Sequence, residues 1–429
     1  MKTYLEMTTR ELMAEKAALE QQFEEIKTRK LKLDMSRGKP SFAQLELSDE
    51  MMDVLDSRSY FNDETGTDCR NYGVLAGIPE AKRLMGAMSE VAPDDMIIFG
   101  NSSLNIMFNT VSRSYTHGVC GSTPWCRLDK PVKFLCPVPG YDRHFRITQS
   151  FGCEMINVPM TPEGPDMDLV EALIRDPEVK GMWCVPKYSN PDGIIYSEST
   201  CKRLARMKPA AEDFALVWDN AYCVHEFDGP FVPFPDIIGL CRDAGNADMV
   251  YEFASTSKIT LPGAGISVMA ASVDNQTYLQ RLMGVQMISE DKVNQLRHVR
   301  FLKNKENVLA LMQRHAEFLR PRFACVLGAL ETEIAPLGLA SWQRPKGGYF
   351  VSVNTQPGLA RRTLALCKEA GVAMTPAGAA FPRGIDPNDS NIRIAPSLPP
   401  VQELAQAMEI FCASLKLAAL EKLLGMKPV

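Results

Sequence analysis

Apolar residues recur along this chain in two rhythms. Near the start, Leu12, Leu19, Phe23 and Ile26 return at roughly helical spacing. They follow "TTRE", where Thr8 can cap a helix and Glu11 can close a capping box. From about residue 90 to 275 the rhythm shortens. Apolar runs stand at "DMIIFG" (95–100), "VKFLCPV" (132–138), "VKGMWCVP" (179–186), "FALVWDN" (214–220), "DMVYEFA" (248–254) and "ISVMAAS" (266–272). Helical patterns separate them, as in "SSLNIMFNTVSRSY", where Leu104, Met107, Phe108 and Val111 share a face. Short buried strands alternating with helices predict an α/β protein with a mainly parallel, helix-covered sheet. Ligands on such sheets gather at the carboxyl ends of the strands.

After about residue 300 the pattern changes. A long helical stretch, "KNKENVLALMQRHAEFLRPRFACVLGAL", precedes "KGGYFVSVN" (346–354), another helix and a final amphipathic helix over 401–424. This predicts a smaller α+β domain. The expected division is an N-terminal helix and arm (1–48) packing with the small domain, a large domain (49–305) and the small domain (306–429). "HGVCGSTPWCRLDK", within 117–131, reads as an exposed loop or insertion.

Composition narrows the class. The chain has 429 residues, 45% hydrophobic and 23% charged, enough for two domains with a substantial core. A net charge of −5 favours neither nucleic acid nor an anionic membrane as partner. No apolar run approaches the ~20 residues that span a bilayer. The N-terminus does not read as a signal peptide. Twelve cysteines lack CxxC or zinc spacing and suit reduced thiols. The expectation is a soluble cytoplasmic protein without a metal site.

The strand ends hold the chemistry. Gly100-Asn101-Ser102-Ser103 lies between a strand and a helix start, where free N–H groups and hydroxyls suit a phosphate, although for this stretch alone a plain helix cap is the better reading. Asn190 stands in the turn "NPDG" after another strand. Asp219 ends an apolar strand in "WDNAY", where a carboxylate needs a cation, a donor or a capping role. Tyr222 follows three residues on. In "FASTSKITLPGAG", Lys258 trails a buried strand, with Ser255 and Ser257 beside it. A lysine desolvated there can lose its proton and form a Schiff base, although most lysines reach solvent. One ligand uses the whole ordered set. Pyridoxal 5′-phosphate needs an amine for its aldehyde, a cradle for its phosphate, a carboxylate for its pyridine nitrogen and donors for its phenolic oxygen.

With these motifs in this order, the chain resembles the fold-type I, pyridoxal-phosphate-dependent aminotransferases over nearly its whole length. More narrowly, it resembles the bacterial aspartate aminotransferase subgroup with a MocR-like domain. The resemblance implies that Lys258 is the Schiff-base lysine and proton carrier, and that Asp219 pairs with the pyridine nitrogen. It also implies that Asn190 and Tyr222 bond the phenolic oxygen. In "PGYDRHF" (139–145), Tyr141 matches the aromatic stacked on the ring and His144 the imidazole behind the aspartate. Tyr72 in "RNYGVLAGIPEAK" matches a residue reaching the neighbouring subunit's cofactor phosphate, which implies a homodimer with shared sites. Arg393 in "NIRIAPS" matches the arginine that clamps the substrate α-carboxylate, and Gly38 in "SRGKP" a backbone contact near it.

One position departs from the pattern. Ile266 stands where many relatives carry a phosphate-neutralising arginine. The implied activity is transamination between an amino acid and a 2-oxo acid, with aspartate and 2-oxoglutarate first. Arg37, Lys39, Lys292 and Arg297 are the candidate cations for a distal carboxylate. Aromatic or broad specificity stays open, as does a lyase or decarboxylase on the same cofactor. An aminotransferase-like sensor of a transcription regulator would need a winged-helix domain, and only about 30 residues precede "LDMSRGKP". A nicotinamide dehydrogenase would need a full glycine fingerprint, of which "GAGIS" is a fragment.

Overall fold

The computed structural model describes residues 2–425. Eight strands form the main sheet: β1 (Met96–Phe99), β2 (Lys133–Val138), β3 (Glu154–Thr161), β4 (Gly164–Pro165), β5 (Val179–Cys184), β6 (Ala215–Asp219), β7 (Val250–Ser255) and β8 (Ser267–Ala271). Their order is β1-β8-β7-β6-β5-β2-β3-β4. The pairs β7–β6, β6–β5, β5–β2 and β2–β3 are parallel; β8 runs against both its neighbours, and β4 against β3.

Period-two alternation explains why the apolar runs became strands buried on both sides. Trp183, Val217, Tyr251 and Phe253 enter one core, while Met182, Leu216, Trp218 and Ala254 enter the other. The two cores fix the register, because a one-residue slip would exchange them. β3 carries no such run. It stands near the sheet edge, and most of its side chains are partly or fully exposed.

Helix α1 (Thr9–Thr28) starts at the expected capping box: Glu11 N–H donates to Thr8 Oγ1 at 3.3 Å, and Thr8 N–H donates to Glu11 Oε2 at 2.7 Å. Its buried stripe, Leu12, Leu19, Phe23 and Ile26, joins a third core with helix α6 (Val401–Leu423). The chain then runs through Leu33–Asp34, which pair in parallel with Val372–Ala373, so the arm is stitched to the C-terminal region. There, β9 (Ala340–Trp342), β10 (Val351–Thr355) and β11 (Asn391–Ile394) form an antiparallel sheet in the order 9-10-11.

Two expectations change. Helix α6 is not amphipathic over its middle: Ile410 to Leu415 are buried without a break, because it packs among α1, the long helix α5 (Lys305–Glu333) and the helix Ala360–Glu369. The 117–131 segment is a loop tied into the protein, since Trp125 is buried and its indole N–H donates to Asp213 at 2.8 Å. No described helix is long and apolar enough to cross a membrane, and the described residues hold no cluster fit for a metal ion.

Candidate active site

Strands β1, β2, β6 and β7 deliver their carboxyl ends to one region. From β6, Asp219 arrives almost wholly buried. His144, on helix α3 (Asp142–Ser150; α2 is Ser103–His117), meets it with Nε2 2.9 Å from Asp219 Oδ2. A carboxylate only accepts, so His144 Nε2 carries the proton. Trp183 fixes the plane of that imidazole by face-to-face stacking at 4.4 Å, and Tyr141 packs edge-on against it at 5.0 Å. The second oxygen of Asp219, Oδ1, is buried with no partner. A buried carboxylate oxygen without a donor costs free energy, so this pair fits a protonated ring nitrogen.

Lys258 follows β7 in the turn after Ser255. Its amine lies 4.9 Å from the Tyr222 ring centroid. Burial lowers its pKa, against the opposing attraction of Asp219. The same burial drives the Tyr222 phenol up and raises Tyr141 to about 12, so both hydroxyls stay protonated and able to donate. An amine eased toward neutrality beside protonated phenols is the equipment for forming an imine with an aldehyde.

A polar cradle closes the opposite end. Ser255 Oγ donates to Ser257 Oγ at 3.1 Å, and Ser257 Oγ donates to the Asn101 carbonyl at 3.1 Å. Asn101 is held in turn by its amide, which donates to Pro262 O at 3.1 Å. Ser102 caps helix α2 by accepting from Asn105 N–H, and Ser103 opens the helix. The cap reading of Ser102 is therefore correct and leaves the α2 N-terminus aimed at this cradle. At the departing position, Ile266 is buried in the large core, its N–H donating to Thr256 Oγ1 at 3.0 Å. No cation enters the cradle from there.

The C-terminal region supplies the third wall. Arg393 on β11 donates through Nη1 to Asn190 Oδ1 at 3.2 Å and to Asp142 Oδ1 at 3.3 Å; its Nε is buried without a partner. The guanidinium lies 4.8 Å from the centroid of the Phe350 ring. Gly38 lets the arm pass beneath that ring, because a Cβ there would stand 2.5 Å from Phe350 Cζ. Next to Arg393 opens a cavity of 620 Å³ lined by Arg37, Gly38, Arg143 and Arg146 among others.

Of the sequence-read cations, Arg37 lines this cavity. Lys292, at the start of helix α4 (Lys292–Leu302), is buried and donates to Asn71 O at 2.7 Å, so its charge is spent on the loop before Tyr72. Lys39 is exposed, and Arg297 sits on α4 with a buried, unpaired Nε. Tyr72 is 77% exposed, with its backbone N–H turned back to Asn71 Oδ1 at 2.9 Å. Arg143 and Arg146 escaped the sequence reading, because two arginines three apart on an exposed helix face look like ordinary solvated charge. Asp142 and Phe350 escaped it too.

A crevice at the strand ends of a mainly parallel sheet, with an unpartnered buried carboxylate facing an eased lysine, defines a cofactor-dependent group-transfer enzyme of the aminotransferase type. Comparison with known proteins agrees. Residues 7–427 match the family model described as aspartate amino-transferase. The aspartate aminotransferase of Corynebacterium glutamicum is 46% identical over 404 residues, covering 94% of this chain and 93% of that one. The crystal structure of an aspartate transaminase from the same species superposes with a TM-score of 0.96 at 44% identity, covering 98% and 99% of the two chains. More distantly, the α-aminoadipate aminotransferase of Thermus thermophilus, solved with N-(5′-phosphopyridoxyl)-L-leucine, shares the fold with a TM-score of 0.71 at 21% identity, covering 92% and 95%. The chain belongs to the aspartate aminotransferase family and is an aminotransferase.

Proposed function

We propose that this enzyme moves an amino group between aspartate and 2-oxoglutarate by a ping-pong cycle on pyridoxal 5′-phosphate. The observation that carries the reading is the pairing of a partnerless Asp219 Oδ1 with an eased Lys258 amine at adjacent strand ends. When bound, the cofactor supplies an electron sink for a carbanion at the substrate α-carbon. Lys258 would hold the cofactor's aldehyde and is placed to carry the substrate α-proton. Asp219, backed by His144, would keep the ring nitrogen protonated. Tyr141 would cover the ring, and Tyr222 and Asn190 would bond its phenolic oxygen. Asn101, Ser102, Ser103, Ser255 and Ser257, with the α2 dipole, would hold the phosphate, and Tyr72 of a second copy would complete that end. Arg393 takes the α-carboxylate next to the Gly38 backbone.

Dicarboxylate specificity is supported by the arginines of the neighbouring cavity. Arg37, Arg143 and Arg146 have no ion-pair partner among the described residues, and they stand around the space beside Arg393. Twelve unpaired cysteines support a reducing, cytoplasmic setting.

The test is spectral. Aspartate or glutamate added to the yellow, loaded protein converts it to the amine form, and 2-oxoglutarate restores the colour. Conversion only by aromatic amino acids would contradict the dicarboxylate assignment. Product formation that needs no oxo acid would favour a lyase instead.

A further inference from the structure

The turn that presents Lys258 is gripped from behind by imidazoles. His315, on α5, has Nε2 3.0 Å from the carbonyl of Ile259, the residue after Lys258. Its Nδ1 lies 3.2 Å from the amide nitrogen of Gln44, a residue of the N-terminal arm. The Gln44 amide cannot be reversed, because its oxygen already accepts from Ser41 N–H at 3.1 Å. A carbonyl accepts and an amide N–H donates, so these partners fix His315 as the neutral tautomer with the proton on Nε2. The same Gln44 nitrogen reaches the Tyr349 hydroxyl at 3.4 Å. Gln44, His315 and Tyr349 are all fully buried.

A second imidazole repeats the arrangement on the other side of the turn. His298 has Nδ1 2.8 Å from the Asn294 carbonyl, while its Nε2 lies 3.3 Å from Thr256 Oγ1 and 3.1 Å from Thr260 Oγ1. The Asn294 carbonyl puts a proton on Nδ1, and burial lowers the ring's pKa to about 4, so it is neutral and its Nε2 accepts from the threonine hydroxyls. A third, His225, packs edge-on to Tyr222 at 5.5 Å and near Tyr349 at 6.2 Å, and leans on the Lys258 backbone without a well-formed hydrogen bond. The chain has five histidines, and three of them surround five residues of backbone. Charged neighbours of the group are Arg314, beside His315 on α5, Arg297 and Asp291 near His298, and Lys187 and Lys258, which face His225.

We propose that His315 is a positioning residue for Lys258: as a neutral imidazole oriented by Gln44, it holds the Ile259 carbonyl and thereby sets where the lysine amine stands. His298 holds the hydroxyl side of the same turn. The consequence is a continuous hydrogen-bonded connection from the N-terminal arm, through Ser41 and Gln44, to the residue next to the lysine. Neutrality matters as well as geometry, because a charged imidazole here would add positive charge behind the amine.

The assignment rests on Lys258 being the lysine that carries the cofactor. The test follows the visible absorbance of the loaded enzyme against pH, with kcat and KM for the amino acid, in wild type, His315→Leu, Gln44→Leu and His315→Gln. The two leucine variants are expected to move the titration midpoint by about 0.5 pH unit or more. They should also lower kcat about tenfold, with KM within about twofold, as misplacement of a reacting group does. His315→Gln keeps a donor for Ile259 and should recover most of both. An unchanged midpoint and kcat in both leucine variants, with only the melting temperature lowered, overturns the proposal. Should His315→Leu not fold, Gln44→Leu and the ¹⁵N spectrum of histidine-labelled wild type decide: a neutral Nε2–H signal for His315 is expected, and a charged ring or the Nδ1–H tautomer overturns the proposal. A wild type without a visible band would instead sink the lysine assignment itself.

Discussion

At Asp219 a single oxygen atom carries much of the chemistry. Oδ2 is spent on His144, and Oδ1 is buried with nothing to bond. Removing the charge while keeping the shape, as in Asp219→Asn, leaves the ring nitrogen without its counter-ion. Losing one partner of a buried charge pair costs roughly 3–5 kcal/mol, or on the order of 10³-fold in kcat. A half-reaction measured by stopped flow should show that loss, and a rate within tenfold of wild type would contradict the role. Arg393 makes a different prediction. Its planar fork is positioned by Phe350 and Asn190, so Arg393→Lys keeps the charge and loses the fork. KM for the amino acid should rise about 10- to 100-fold, the equivalent of one charge-assisted hydrogen bond, with a smaller change in kcat.

Elements translate these residues into pH dependence. Burial holds His298 and His315 at about 4, so the unfolded chain takes up protons from pH 6.5 downward while the folded chain does not. Stability conferred by the neutral rings is therefore full above pH 6.5 and falls as pH drops toward 4. Relative to wild type, His315→Gln should gain on the order of 3 kcal/mol on acidification across that window, readable as converging or crossing melting curves. Glu252, buried in the middle of β7, works the other way. Its pKa is pushed up to about 8 by burial, against the Asn220 amide that donates to it at 2.9 Å. It is neutral in the folded protein where the unfolded chain is ionised, so wild type loses stability as pH rises from about 4.5 to 8. Glu252→Gln should remove that slope; equal slopes would place the carboxylate in contact with water.

The same elements show what was legible before the structure. Runs such as "MIIF", "ALVWD" and "SVMAA" alternate between two cores, are too short and too apolar for an amphipathic helix and became β1, β6 and β8. The α1 capping box was readable because both partners lie within four residues. β3 was not, since a strand next to the sheet edge with exposed side chains has no apolar signature. The ordered motif set brought Lys258, Asp219, His144, Tyr141, Tyr222, Asn190 and Arg393 to one place. The histidine grip escaped, because Gln44 and His315 meet across 271 positions and neither stands in a motif.

Across the whole molecule, the proposed homodimer bears on the surface. Phe42, Tyr72, Val285 and Ile288 are 61–89% exposed in the single chain, and exposed apolar side chains of this kind are what a dimer interface covers. Sedimentation should give a dimer. Tyr72→Ala and Lys258→Ala chains, each nearly inactive, should complement when mixed and re-dimerised, since one site of each hybrid then carries neither change. Recovery to about a quarter of wild-type activity is expected from random pairing, and no recovery would show that sites are built within one chain.

The central claim is the covalent partner of the cofactor, and the most direct measurement is chemical. Borohydride reduction of the loaded protein, followed by proteolysis and mass spectrometry, should place one phosphopyridoxyl group on Lys258 and on no other lysine. A label on a different lysine, or an unlabelled protein after saturation with pyridoxal phosphate, would contradict the account.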